Sequence, residues 1–163
     1  MKTRFIIIMG VSGTGKTTLG KALSARLGWD FTDADDLHPP ANIKKMADGF
    51  PLTDDDRRPW LAALHDLIST CLAGARPGIL ACSALKESYR RTLLAGNPDV
   101  KIVYLKGSYE LLLARMQQRP AHFMKPAMLK SQFETLEEPL DALILDISLP
   151  VEEMLDRIVA ALQ

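Results

Sequence analysis

The chain has 163 residues, 47% hydrophobic and 25% charged, a balance that suits one globular domain with a sizeable core. Twenty basic residues offset twenty acidic ones, so no overall field would draw it to nucleic acid or to an anionic membrane. Two cysteines cannot build a disulfide framework, and no apolar run approaches the ~20 residues that span a bilayer.

The first element is Phe5–Met9, a short apolar run that reads as a buried parallel strand. Directly after it, Gly10-Val11-Ser12-Gly13-Thr14-Gly15-Lys16-Thr17 matches G-x-x-x-x-G-K-[ST], the phosphate-binding loop. Leu19, Ala22, Leu23 and Leu27 then recur at helical spacing, with Gly28 as the stop. Strand, glycine loop and helix supply the context this motif needs. The loop amides and the helix N-terminus cradle phosphates, Lys16 reaches the β- and γ-phosphates, and the Thr17 hydroxyl is placed for Mg²⁺. A nucleoside triphosphate, ATP, is the expected ligand. A loop this near the start leaves no room for a cleavable leader, so the cytoplasm is the expected location.

A second strand is expected over 29–32, followed by an irregular region across 33–55. Within it, Asp33-Ala34-Asp35-Asp36-Leu37-His38-Pro39 lies where the chain returns beside the loop. Asp33 can hold Mg²⁺ or its waters, and Asp35 can accept a hydrogen bond from an attacking hydroxyl. The alternative is a solvated acidic turn capping a helix near Pro40, and Asp36 fits that alternative better. Lys45 and Arg57 can meet an anionic substrate, the arginine through a two-pronged contact; equally, Arg57 can pair with Asp54 or Asp56 at a helix start.

Thr53 with Asp56 resembles a capping box opening a long helix with Trp60, Leu61, Leu64, Leu67, Ile68, Cys71 and Leu72 on its apolar side, ended by Gly74. Trp60, Cys71 and His65 are expected to be structural. A third strand, 79–82, leads to Ser83, whose hydroxyl can face a ligand or cap the next helix, predicted over 86–95. Lys86 and Arg90, four apart, fit a solvated helical face. A fourth strand covers 102–105. Ser108 caps a helix running towards Arg119, and Arg115 with Arg119, followed by His122, suits a basic lid. A fifth strand at 143–147 and a helix striped by Val151, Met154, Leu155, Ile158, Val159 and Leu162 complete an α/β pattern with a parallel sheet covered on both faces. No N-K-x-D or D-x-x-G segment of a switch GTPase is present, nor an apolar run ending in paired acids as in motor ATPases. This combination favours a small-molecule kinase, with a shikimate-kinase-like or nucleoside-monophosphate kinase as the rival within the enzyme class and a regulatory nucleotide-binding module as the rival outside it.

Met9 to Thr17, Asp35 with Leu37-His38-Pro39, Asn42 to Met46 with Gly49, Pro51 to Arg57, Pro59-Trp60-Leu61, Cys82 to Lys86, Tyr89-Arg90, Tyr104 to Gly107, Arg119 with His122-Phe123, and Gln132 to Glu137 with Pro139 together resemble the gluconate kinase family of P-loop carbohydrate kinases. The resemblance spans nearly the whole chain. It implies ATP-dependent phosphorylation of D-gluconate at the 6-hydroxyl, a three-layer P-loop kinase fold with five parallel strands ordered 2-3-1-4-5, a single domain over 1–163 with a short lid near 119–127, and a homodimer. It implies nucleotide contacts from Gly10, Ser12, Gly13, Thr14, Gly15, Lys16, Thr17, Thr18 and Arg115, with Thr17 and Asp33 at the metal. It makes Lys16, Asp35 and Arg119 catalytic, and Asp35, His38, Lys45, Arg57, Ser83 and His122 the gluconate contacts. The chain departs from the family pattern at Ala34, Phe50 and Pro120-Ala121.

Overall fold

The computed structural model describes residues 2–118 and 126–163. Five parallel strands form one sheet: β1 (Phe5–Met9), β2 (Asp30–Asp33), β3 (Gly78–Ala81), β4 (Val100–Lys106) and β5 (Leu143–Asp146), in the spatial order β2-β3-β1-β4-β5. This is the expected order. β1 lies at the centre, paired from Phe5↔Gly78 on one side and Phe5↔Val100 on the other, and all five of its residues are buried. A strand covered on both faces has no polar side to show, which is why its sequence reads as an unbroken apolar run.

The alternation of side chains along β1 divides the core. Phe5, Ile7 and Met9 join Trp60, Leu61, Leu64 and Ile68 of α3 (Asp54–Ala73) and Tyr89 and Leu93 of α4 (Glu87–Leu94). Ile6 and Ile8 face the other way, onto Leu19 and Leu23 of α1 (Lys16–Leu27), Leu112 of α5 (Tyr109–Gln117), Leu129 of α6 (Pro126–Thr135), and Met154, Leu155 and Ile158 of α7 (Val151–Ala161). Cys71 and Cys82 are buried free thiols, as expected.

The helix boundaries follow local chemistry. Thr53 Oγ1 accepts from the Asp56 N–H and Asp56 Oδ2 accepts from the Thr53 N–H, the reciprocal pair of a capping box. Ser108 Oγ takes the Leu111 N–H at the start of α5, and α1 ends at Gly28 in the left-handed region (φ 70°).

Four expectations are corrected. The region 33–55 is largely ordered: a 3-10 turn covers Ala34–Leu37 and α2 covers Pro40–Ala47. α6 lies where no helix was expected. Ser83 caps nothing, because α4 begins at Glu87 with Lys86 at the N-cap, and Arg90 is buried rather than part of a solvated face.

Candidate active site

The phosphate loop joins β1 to α1 at the carboxyl edge of the sheet, where parallel α/β folds place their ligands. Gly13 (φ 85°) and Gly15 (φ 93°) hold left-handed conformations that curl the loop. Gly10 lies so close to β4 that a Cβ there would sit 2.9 Å from the Leu105 carbonyl and from Thr14 Oγ1. The Thr14 hydroxyl is itself buried and donates to the Val11 carbonyl at 2.9 Å. Lys16 donates to the Gly10 and Val11 carbonyls, both at 3.0 Å, so its ammonium lies over the loop. Burial lowers the Lys16 pKa, opposed by the nearby Cys82, Asp35 and Asp33. Thr18 is exposed on the first turn of α1.

β2 brings the acidic group alongside. Thr17 Oγ1 donates to Asp33 Oδ2 at 3.0 Å, while Asp33 Oδ1 accepts from the Asp35 N–H at 3.0 Å. The two expected metal ligands are therefore adjacent across 16 residues of chain. Among the described residues no group of three or more His, Cys, Asp or Glu could hold a metal alone. A hydroxyl and one carboxylate, with phosphate oxygens and waters to complete the shell, fit the hard, octahedral demands of Mg²⁺.

Asp35 opens onto solvent beside Asp33. Partial desolvation nevertheless raises its pKa, Asp33 adds to the rise, and His38 and Lys16 oppose it. A carboxylate held in this way accepts a proton more readily than an ordinary aspartate. His38 is buried and stacks on Trp60, ring centroids 4.3 Å apart. Trp60 is fixed in turn by its indole N–H, which donates to the Ala34 carbonyl at 2.7 Å. Burial lowers the His38 pKa. Asn42 Nδ2, oriented by its bond to the Asp56 carbonyl, donates to His38 Nδ1 at 3.2 Å. A neutral ring accepting at Nδ1 carries its proton on Nε2.

The basic candidates converge on α3. Lys45 reaches Asp56 Oδ2 at 2.6 Å, and this contact, with the Thr53 bonds, holds the Asp56 carboxyl at about 2. Arg57 lies 3.6 Å from Asp54 and donates to Tyr89 Oη at 3.2 Å; Lys86 also reaches Asp54, at 3.3 Å. Arg57 and Lys86 both approach the Tyr89 ring, at 5.6 and 5.5 Å from its centroid. Of the two readings of Arg57, the structure shows the pairing at the helix start, with Tyr89 and Lys86 beside it. Ser83 is half-buried after β3, and its carbonyl accepts from the Gly10 N–H at 3.4 Å, which ties the end of β3 to the phosphate loop. Arg115 donates to the Ile147 carbonyl at 3.0 Å, so α5 meets the turn after β5. Arg119 and His122 lie outside the described residues.

Sequence reasoning missed two side chains that shape this edge. Arg90 Nη1 donates to the Ala84 and Leu85 carbonyls at 2.7 and 3.1 Å, holding a turn in which Ala84 adopts φ 45°. Gln132 reaches the phosphate loop itself, with Oε1 accepting from the Ser12 N–H at 2.7 Å. Neither contact has a local sequence signal, since one runs back to a turn and the other spans 120 residues.

A family model described as an AAA domain matches residues 5–142. The gluconokinase of Gluconobacter oxydans is 48% identical over 141 residues, 86% of this chain and 79% of that protein. The thermosensitive gluconokinase of Escherichia coli is 51% identical over 133 residues, 82% and 71% of the two chains. The crystal structure of a gluconokinase from Sinorhizobium meliloti superposes with a TM-score of 0.86 at 42% identity, covering 99% of this chain and 93% of that one. The chain belongs to the gluconokinase family of P-loop kinases.

Proposed function

We propose that this protein transfers the γ-phosphoryl group of ATP to the 6-hydroxyl of D-gluconate, giving 6-phospho-D-gluconate and ADP. The observation that carries this reading is the hydrogen-bonded junction of the phosphate loop with Asp33 and Asp35, through Thr17, backed by family membership over most of the chain. Phosphoryl transfer asks the protein for alignment and charge more than for covalent chemistry. The loop from Gly10 to Thr17, with Thr18 behind it, is the proposed polyphosphate cradle, and Arg115, which donates to the Ile147 carbonyl after β5, is the proposed contact for the base. Asp35 orients the 6-hydroxyl and takes its proton as the bond to phosphorus forms. Arg57, Lys45, His38 and Ser83 are the proposed contacts for the sugar acid, the cations for its carboxylate and the Nε2–H of His38 for a hydroxyl. Lys16 and, beyond the described residues, Arg119 are assigned to the charge that moves with the phosphoryl group, and His122, also beyond them, to gluconate.

Thr17 and Asp33 are the residues that would hold Mg²⁺, which when bound supplies neutralising charge to the phosphates. The chain is proposed to work as one domain and as a homodimer in the cytoplasm, without nucleic acid or membrane partners. Among the described residues no helix is long and apolar enough to cross a membrane.

An acceptor screen tests the assignment. Purified protein with ATP and Mg²⁺ is offered gluconate, other sugar acids, shikimate and nucleoside monophosphates, and ADP release is followed. Release dependent on gluconate is expected; equal turnover with shikimate or a nucleotide acceptor would refute the substrate.

A further inference from the structure

The residues just after α6 begins its last turn form a strut across the carboxyl edge of the sheet. At one end, Gln132 makes two bonds to one loop residue: Oε1 accepts from the Ser12 N–H at 2.7 Å, and Nε2 donates to Ser12 Oγ at 3.0 Å. Among the described residues, no protein acceptor takes the N–H of Gly13, Thr14 or Gly15. Those amides are left without a protein acceptor, while Ser12, next to them in the loop, is held by the carboxamide.

At the other end, five residues along the chain, Glu137 is tied to the acceptor-side turn. Its N–H donates to the Leu85 carbonyl at 2.8 Å, its Oε1 accepts from the Glu87 N–H at 2.7 Å, and its carbonyl accepts from Arg90 Nη2 at 2.7 Å. Arg90 is 3% exposed and grips the Ala84 and Leu85 carbonyls of the same turn. Between the two ends, Leu136 packs against both halves of the core, and Leu129 of α6 is fully buried. Glu138 extends the strut to β4 through Tyr104 Oη at 3.1 Å and Lys106 at 3.0 Å. A helix end anchored at so many points moves as a unit with the sheet.

We infer that Gln132 is a positioning residue for phosphoryl transfer: its carboxamide fixes the phosphate loop at Ser12 and, through Glu137 and Arg90, keeps that loop in register with the turn on the acceptor side. Ground-state phosphate binding rests on the amides of Gly13 to Lys16, which Gln132 does not touch. The alignment of donor and acceptor rests on where the loop sits, and an error of about 1 Å there costs about a hundredfold in rate. Loss of Gln132 therefore acts on turnover more than on nucleotide affinity.

The inference rests on the proposed reaction, so gluconate-dependent ADP release by the unaltered protein is measured first; its absence sinks the reaction. Given that activity, Gln132→Met keeps the length and packing of the side chain but makes neither bond. The expected result is a kcat lower by about tenfold to a hundredfold, with the Kd for ADP, read by calorimetry, and the melting temperature close to those of the parent. Gln132→Asn, one methylene too short to reach Ser12, is expected to show the same split and stands in if the methionine variant fails to fold. Ser12→Ala removes the oxygen that accepts from Gln132 Nε2 and supplies a readout that general loosening would not move: it should cost less kcat in the Gln132→Met background than in the parent. Unchanged kcat, a loss of turnover matched by an equal loss of ADP affinity, or full additivity of Ser12→Ala with Gln132→Met would overturn the inference.

Discussion

Replacing Asp35 by asparagine separates catalysis from folding at a single atom. The amide is nearly isosteric, and the main-chain N–H of residue 35 keeps its bond to Asp33 Oδ1 at 3.0 Å, so the 3-10 turn is expected to persist. A positioned general base contributes about 10²- to 10⁴-fold, which at 1.36 kcal/mol per tenfold is about 3–5 kcal/mol of barrier. Turnover with saturating ATP and gluconate should fall by that factor. Nucleotide affinity should change little, because Lys16 retains its two loop carbonyls. Stability should move the other way. Desolvation and the neighbouring Asp33 outweigh His38 and Lys16 in raising the Asp35 pKa, so its charge is a net cost to the folded state. Asp35→Asn should therefore melt at the same temperature or higher at pH 7. The folded carboxyl holds its proton more tightly than the unfolded one, so this difference should vanish once the pH falls below about 4, where both states are protonated. The assays are coupled ADP release and thermal melting from pH 3.5 to 8. Near-parental kcat would remove Asp35 from its role, and a lower melting temperature at pH 7 would refute the electrostatic account.

The same raised pKa predicts the acid limb of kcat/KM, which should lie above the ordinary aspartate range near 4 and disappear from the residual activity of Asp35→Asn. Asp56 has the opposite sign: held at about 2, it contributes stability that is present above the unfolded value near 4 and lost as the pH falls through that window. Lys45→Ala should flatten this acid loss in a melting series, and an unchanged slope would show that the ion pair does not set it. Trp60→Phe leaves the carbonyl of buried Ala34 without its 2.7 Å donor, which should cost about 1–3 kcal/mol in denaturant unfolding, and should raise KM for gluconate through His38. Gly20→Ala would drive a Cβ to 2.2 Å from the Phe31 ring between α1 and β2, an overpacking expected to cost about 1–3 kcal/mol; a melting temperature equal to the parent's would mean that α1 shifts freely.

Why α6 was missed, and why α2 stood only as a helix near Pro40 in the alternative reading, is visible in the residues. The buried residue of α2 is the polar Asn42, while Ile43 and Met46 are exposed, so the segment carries its apolar side chains on the wrong face for a periodicity argument. α6 buries only Leu129 fully, and one buried leucine in ten residues makes no stripe. Lys86 and Arg90 have the spacing of a solvated helical face, yet a 3% exposed Arg90 is stable there because four oxygens accept from its guanidinium.

Local physics alone determined the loop with its strand and helix, the caps at Thr53 and Ser108, and the buried face of α3, because each is written within a few residues of itself. The chemistry of the residues singled out Asp35, Lys45 and Arg57 as candidates, and the family-wide pattern added the strand order and His38. Which of these groups share a hydrogen bond was decided only by the packed sheet, which brings Thr17 to Asp33 and Lys45 to Asp56. It also carries Gln132 across 120 residues to Ser12. Contacts of that kind depend on how two faces of one sheet are covered, and no periodicity within a single element records them.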